Sequence, residues 1–218
     1  MIGRTRRFAI ATLFPVIVTV SNEYGCGALA IALSVARELE YEYVDQQLPV
    51  VVSKRLRVSP ETVDASEDGG RSLGQRLLTS LERATPELAQ SSAAEPPDEE
   101  LVAAVADAVR DYASRGNVVI VGRGASAILG ARDDVLRVFM HGPRAWRVSN
   151  IVAATGERPE TAEAEVDRVD RARSAYIRQW YGRTFGDVRD YDLCIDTSRL
   201  TADQCTALIV AAIRARVA

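Results

Sequence analysis

Gly25-Cys26-Gly27, within the run SNEYGCGALA, follows a β-branched apolar segment and opens an apolar helical pattern. A glycine turn placed between strand and helix offers an anion main-chain N–H groups and the positive end of a helix. Two spacings fit. Gly25-x-Gly27-x-x-Ala30, with Asp45 about twenty residues on, matches the fingerprint of an NAD(P)-binding unit. Asn22, Glu23 and Tyr24 instead lengthen the loop toward the type that wraps phosphate in P-loop nucleotide enzymes. In that alignment Gly27-Ala28-Leu29 stands where Gly-Lys-Ser/Thr is usual, so the ammonium on the outer phosphates and the hydroxyl on magnesium are both missing. A turn that merely reverses the chain is the plainest alternative. Tyr24, Gly25, Cys26, Gly27, Ala28 and Leu29 are the candidate cofactor-binding residues. Cys26 lies near a helix N-terminus, which favours a thiolate open to modification.

Any cationic chemistry must come from arginine or a metal: of 27 basic side chains only Lys54 is a lysine, which leaves 26 arginines. Arg173 falls on a helical stripe with Val166, Val169, Tyr176 and Trp180, an arginine on an otherwise apolar face. A desolvated guanidinium requires an anionic partner. Asp170, three residues earlier, is that partner in the plainer reading; in the functional one it orients Arg173 toward a transferred phosphoryl group. Arg168, Arg171 and Arg178 face solvent on the same wheel. Arg123 follows a strand and precedes small residues, a place suited to a bidentate phosphate contact or to a surface ion pair. Asp45 closes a strand and precedes a helical stretch, where a simple N-cap is the plainer reading. Arg144 and Arg147 read as surface charge, with a lid-side phosphate contact as the alternative. His141, the single histidine, reads as structural.

The elements that must position these residues alternate. Strands are expected at 16–21, 41–44, 117–122, 135–140 and 193–196, with helices at 28–39, 100–114, 143–154, 159–181 and 202–216. That order predicts an α/β fold in three layers, a parallel sheet with helices on both faces. Residues 46–98 are the exception: two amphipathic stretches, 46–58 and 71–83, predict a small inserted helical lobe, and 86–98 reads as a flexible segment.

Composition sets bounds. A chain of 218 residues, 47% hydrophobic with a net charge of −3, suits one globular domain and lacks the basic excess of a nucleic-acid binder. Three cysteines without CxxC spacing and one histidine are too few soft ligands for a structural zinc site and point to a reducing cytoplasm. The start, with Arg4, Arg6 and Arg7 before FAIATLFPVIVTV, imitates a secretory signal. Its apolar run is too short for a membrane span and enters the glycine turn directly, so a leading segment plus first strand is expected, with no membrane partner.

VTVSNEYGCGALAIALSVARELEYEYVD, VVIVGRGASAIL, VLRVFMHGPRAWRVSNI, VDRARSAY and YDLCIDTSRL fall in the order and spacing of one family. Over residues 16–210, except around 86–98, the chain resembles the cytidylate kinase-like family, a nucleoside monophosphate kinase branch of the P-loop folds. The resemblance implies a single kinase-like domain over 1–218, an acceptor-side lobe at 46–98 and a lid-like helical region at 155–185. It implies transfer of a phosphoryl group from ATP, with Mg2+, to a nucleoside monophosphate such as CMP. Arg173, Asp170 and Arg123 become the candidate catalytic residues, and Asp45 and Arg123 the acceptor residues; no protein metal ligand is assigned. The family's loop arginines are replaced by Asn22 and Leu29, and the Asp after its Gly-Arg pair by Gly124. A catalytically silent nucleotide- or protein-binding regulator is therefore the second reading, and an NAD(P) oxidoreductase the third. Oligomeric state is left open.

Overall fold

A computed structural model describes residues 16–45 and 98–217. Five strands, β1 (Ile17–Asn22), β2 (Glu42–Val44), β3 (Val118–Val121), β4 (Val135–His141) and β5 (Leu193–Asp196), form one sheet in the order β2-β3-β1-β4-β5. Every pairing is parallel, and β1 lies between β3 and β4 with Ile17 opposite both Val118 and Val135. A parallel sheet has both faces covered, so its strands read as continuous apolar runs, as IVTV and VVIV do.

Alternation along β1 divides the core in two. Val16, Val18 and Val20 pack with α1 (Ala28–Leu39) and with the last helix, α6 (Ala202–Val217), through Ile31, Val35, Ile209 and Ile213. Ile17 faces the other way, toward α2 (Asp98–Arg115) and the short α3 (Ala125–Leu129). Thr19, on that second face and wholly buried, is satisfied by Ser126 of α3 at 2.8 Å. The remaining helices, α4 (Arg144–Thr155) and α5 (Pro159–Tyr181), share a small cluster of Val148, Ala162 and Val166. Pro159 begins α5 and the left-handed Gly182 ends it.

The expected strands and long helices are all present with ends shifted by a residue or two. The helix at 125–129 was not expected; it is a single turn and carries no legible apolar period. The two amphipathic stretches of the expected lobe and the segment 86–97 lie outside the described residues. The sheet order corrects the oxidoreductase alternative: a dinucleotide-binding sheet places its second strand beside the first, whereas here β3 separates β2 from β1.

Because β1 and β3 are neighbours whose following segments lead to opposite faces, their carboxyl ends meet at the topological switch of the sheet. Open α/β sheets bind their ligands in that position.

Candidate active site

A cleft of about 830 Å³ opens at this switch, lined by Gly25, Gly27 and Leu29 after β1, Arg123 after β3, Asp45 after β2, and Arg173 from α5. Tyr24 and Ala28 contribute to the same wall. Eight of the residues singled out in the sequence thus meet in one place; Cys26 and Asp170 do not line it.

The loop from Asn22 to Gly27 turns on two left-handed glycines, Gly25 at φ 83° and Gly27 at φ 77°. At Gly25 the requirement is double, since a Cβ there would lie 2.7 Å from the main-chain oxygen of Arg147. Gly27 caps α1 without any side-chain hydrogen bond of its own, and of the first-turn N–H groups that of Ala28 faces the Cys26 sulfur. Leu29, in the first turn, is 53% exposed.

Behind the loop lies a buried arginine that sequence reasoning took for surface charge. Arg147 is only 5% exposed. Its Nη1 donates to Tyr24 O at 2.8 Å and to Asp170 Oδ2 at 2.7 Å, and its Nε donates to Gly142 O at 3.0 Å. Glu23 Oε2 sits 3.3 Å from the same Nε and accepts from Gly142 N. Two carboxylates and two carbonyls therefore surround one guanidinium, the condition under which a buried charge is tolerated. Losing one partner of such a pair costs about 3–5 kcal/mol. By contrast Arg144, three residues earlier, is an exposed partner of Asp167 and Glu163, as surface charge should be.

Asp170 was expected to orient Arg173. Its carboxylate is instead shared by Arg147 and by the main-chain N–H of Tyr24, at 2.9 Å, so it ties α5 to the loop. The reason is geometric: Arg173 lies one turn further along α5, where its Nη1 donates to Asn22 O at 2.9 Å and its guanidinium stands 6.0 Å from the centre of the Tyr24 ring. Tyr24 packs on the small cluster between α4 and α5, which staples the turn.

Cys26 corrects a second expectation. Its thiol is buried, 1% exposed, and lies against Met140 O. Burial pushes its pKa up to about 11, more than offsetting the Ala28 N–H and Asn22 side chain that favour the thiolate. Its main chain remains in the loop: Cys26 O accepts from Thr197 Oγ1 at 2.9 Å. In β2, next to the cleft-lining Asp45, burial and then the charge of Asp45 push Tyr43 up to about 12.

The turn after β3 is unusual. Gly122, Arg123 and Gly124 are all left-handed, at φ 69°, 58° and 67°. A left-handed arginine costs roughly 1–2 kcal/mol and marks a position held for a reason. The turn is pinned by Gly122 N to Val20 O and by Ala125 N to Gly122 O. At Gly124 a Cβ would meet the Tyr181 ring at 2.8 Å, so the carboxylate that the resemblance places here requires that ring to shift.

A magnesium ion fits the described residues poorly. The hydroxyl position of a P-loop is Leu29, and among the described residues no cluster of three acidic, histidine or cysteine side chains is arranged to hold a metal.

The five-stranded parallel sheet, its order and the glycine loop at its switch point define a P-loop nucleoside monophosphate kinase-like fold. The sequence model of the cytidylate kinase-like family matches residues 17–199, and the chain belongs to that family. It is 22% identical to the cytidylate kinase of Halobacterium salinarum over 202 residues, covering 91% of this chain and 90% of that protein. Among solved structures it resembles an uncharacterized protein from Eubacterium ventriosum, with a TM-score of 0.65 at 18% identity over 91% of this chain and 98% of that one. The shikimate kinase of Acinetobacter baumannii gives a TM-score of 0.51 at 12% identity, over 94% and 95% of the two chains. Family and fold together are those of nucleotide kinases.

Proposed function

We propose that the chain transfers the terminal phosphoryl group of ATP to a nucleoside monophosphate of the CMP type. One observation carries this reading: arginines from two separate elements, Arg123 after β3 and Arg173 on α5, line the same cleft as the left-handed glycine loop. Phosphoryl transfer needs little covalent help, so positioning and electrostatic stabilisation account for most of its catalysis. The loop N–H groups and the start of α1 take the donor phosphates. Arg173, braced on the Asn22 carbonyl and the Tyr24 ring, neutralises the charge that develops on the group in transit. Arg123 and Asp45 take the acceptor. Asp170 acts through Arg147 and the loop. Magnesium bound through the phosphates would add electrophilic assistance, and no step here depends on a protein ligand to it. The helical region 155–185, which contains α5, serves as the lid-like element.

Leu29 supports a second reading, a relative that binds nucleotide without turnover: an exposed aliphatic side chain stands where the reaction class uses a hydroxyl. Three free cysteines among the described residues suit a reducing cytoplasm. No described helix is long and apolar enough to cross a membrane.

The test is product formation. Incubation of the full chain with ATP, magnesium and CMP, UMP, dCMP or AMP, followed by separation of nucleotides, should yield a diphosphate from the pyrimidine acceptor. Ligand-raised melting temperature with ATP and CMP but no diphosphate would establish the silent relative; no response to either nucleotide would end both readings.

A further inference from the structure

The glycine loop carries no cation of its own, and side chains from other elements hold its shape: Arg147 and Thr197 are buried beneath it, and Asn150 stands beside it in the cleft wall. Three consecutive loop carbonyls each accept a side-chain hydrogen bond from distant sequence. Tyr24 O accepts from Arg147 Nη1 at 2.8 Å, Gly25 O from Asn150 Nδ2 at 3.0 Å, and Cys26 O from Thr197 Oγ1 at 2.9 Å. Thr197 is also 4% exposed and shares its hydroxyl with His141 O, so it joins the loop to the ends of β4 and β5.

In a trans peptide the C=O of one residue and the N–H of the next lie in one plane and point in opposite directions. Every described peptide here is trans. Holding the carbonyls of residues 24, 25 and 26 therefore also sets the N–H groups of Gly25, Cys26 and Gly27, each aimed away from the side chain that holds its peptide. The charge of Arg147 adds little to this, because Asp170 and Glu23 already offset it. Asn150 and Thr197 carry no charge at all. What the three supply is direction.

We propose that Arg147, Asn150 and Thr197 are positioning residues that aim the loop amides at the outer phosphates of the donor nucleotide, in place of the side-chain grip that Ala28 and Leu29 cannot give. A nest of successive N–H groups binds anions only while its peptides stay in register, so side chains that fix the carbonyls fix the affinity. The proposal rests on the nucleotide reading of the cleft for its ligand, and on the hydrogen bonds alone for its residues.

Isothermal titration of the full chain with ATP, inorganic tripolyphosphate and CMP tests it. Tripolyphosphate presents phosphate without a nucleoside, and CMP reports the acceptor side. Asn150→Ala should weaken ATP and tripolyphosphate together by about 5- to 10-fold, the size expected for one lost hydrogen bond felt through the loop. CMP affinity should stay within about twofold, which separates positioning from general loosening of the fold. Thr197→Val, nearly isosteric, should act in the same direction. Arg147→Lys should act likewise, because an ammonium cannot serve Gly142, Tyr24 and Asp170 at once; its melting temperature is measured in parallel since the site is buried. Tripolyphosphate affinity equal to wild type in both Asn150→Ala and Thr197→Val overturns the proposal, as does an equal loss of all three ligands. If the wild-type chain binds neither ATP nor tripolyphosphate, the nucleotide reading itself falls, and this is visible before any variant is made.

Discussion

Two glycine turns stand side by side at the carboxyl ends of β1 and β3, and they solve the same problem in opposite ways. The loop after β1 carries no cationic side chain and keeps its main chain in place through hydrogen bonds from Arg147, Asn150 and Thr197. The turn after β3 keeps its charge, and bends its own main chain into a left-handed run to present it, with Arg123 between Gly122 and Gly124. The first is held by side chains from distant sequence; the second by main-chain hydrogen bonds, Gly122 N to Val20 O and Ala125 N to Gly122 O. In the proposed reading, a site assembled from both separates the groups that shape the phosphate pocket from the group that charges it.

The largest effect should come from breaking the charge side. Arg173→Ala is expected to lower turnover by about 10³-fold, the range for an arginine that meets transition-state charge in this reaction class. Far-ultraviolet circular dichroism should remain that of the parent. An unchanged rate would remove Arg173 from the mechanism and leave the loop to work alone.

The main-chain side is sharpened by substituting its two glycines separately. Gly27→Ala meets open space and should cost only the left-handed penalty, about 1–2 kcal/mol. Gly25→Ala adds a collision with the main-chain oxygen of Arg147, which cannot rotate aside, and the total should reach about 2–5 kcal/mol. Thermal or urea unfolding ranks the two, and equal losses would show that the loop can slide off Arg147.

The smallest effect concerns the thiol beneath the loop. Cys26 ionises at about 11 in the folded chain against an ordinary 9.0. A group whose folded pKa is raised contributes stability in full below its unfolded value and loses it as pH rises through the folded one, so Cys26 erodes stability between pH 9 and about 11. At pH 8 iodoacetamide should label the exposed Cys194 and spare Cys26 and Cys205, read by peptide mass. Rapid labelling of Cys26 would mean the loop opens on its own.

Local pattern made the scaffold legible. The bounds of α1 and α5 follow from apolar spacing together with Gly27, Pro159 and Gly182 at their ends. The cleft was legible as well, because a glycine loop, a Gly-Arg turn and an arginine on an apolar stripe each announce themselves within a few residues. The wiring between them was not. Arg147 reaches Tyr24 across 123 residues and Thr197 reaches Cys26 across 171, and no helical wheel holds that information. The wheel did pair Asp170 with Arg173 as near neighbours, yet a better-aligned guanidinium on another helix takes the carboxylate. The burial of Arg147 had one local hint, its place between Trp146 and Val148 at helical spacing from Ile151.

The Tyr181 ring beside Gly124 carries a lesson for redesign. A carboxylate introduced at position 124 to select a base would arrive against an aromatic edge 2.8 Å from its first carbon. The two positions are thus bound into one decision, and a lineage or a protein engineer wishing to alter the first has to displace or trim the second as well.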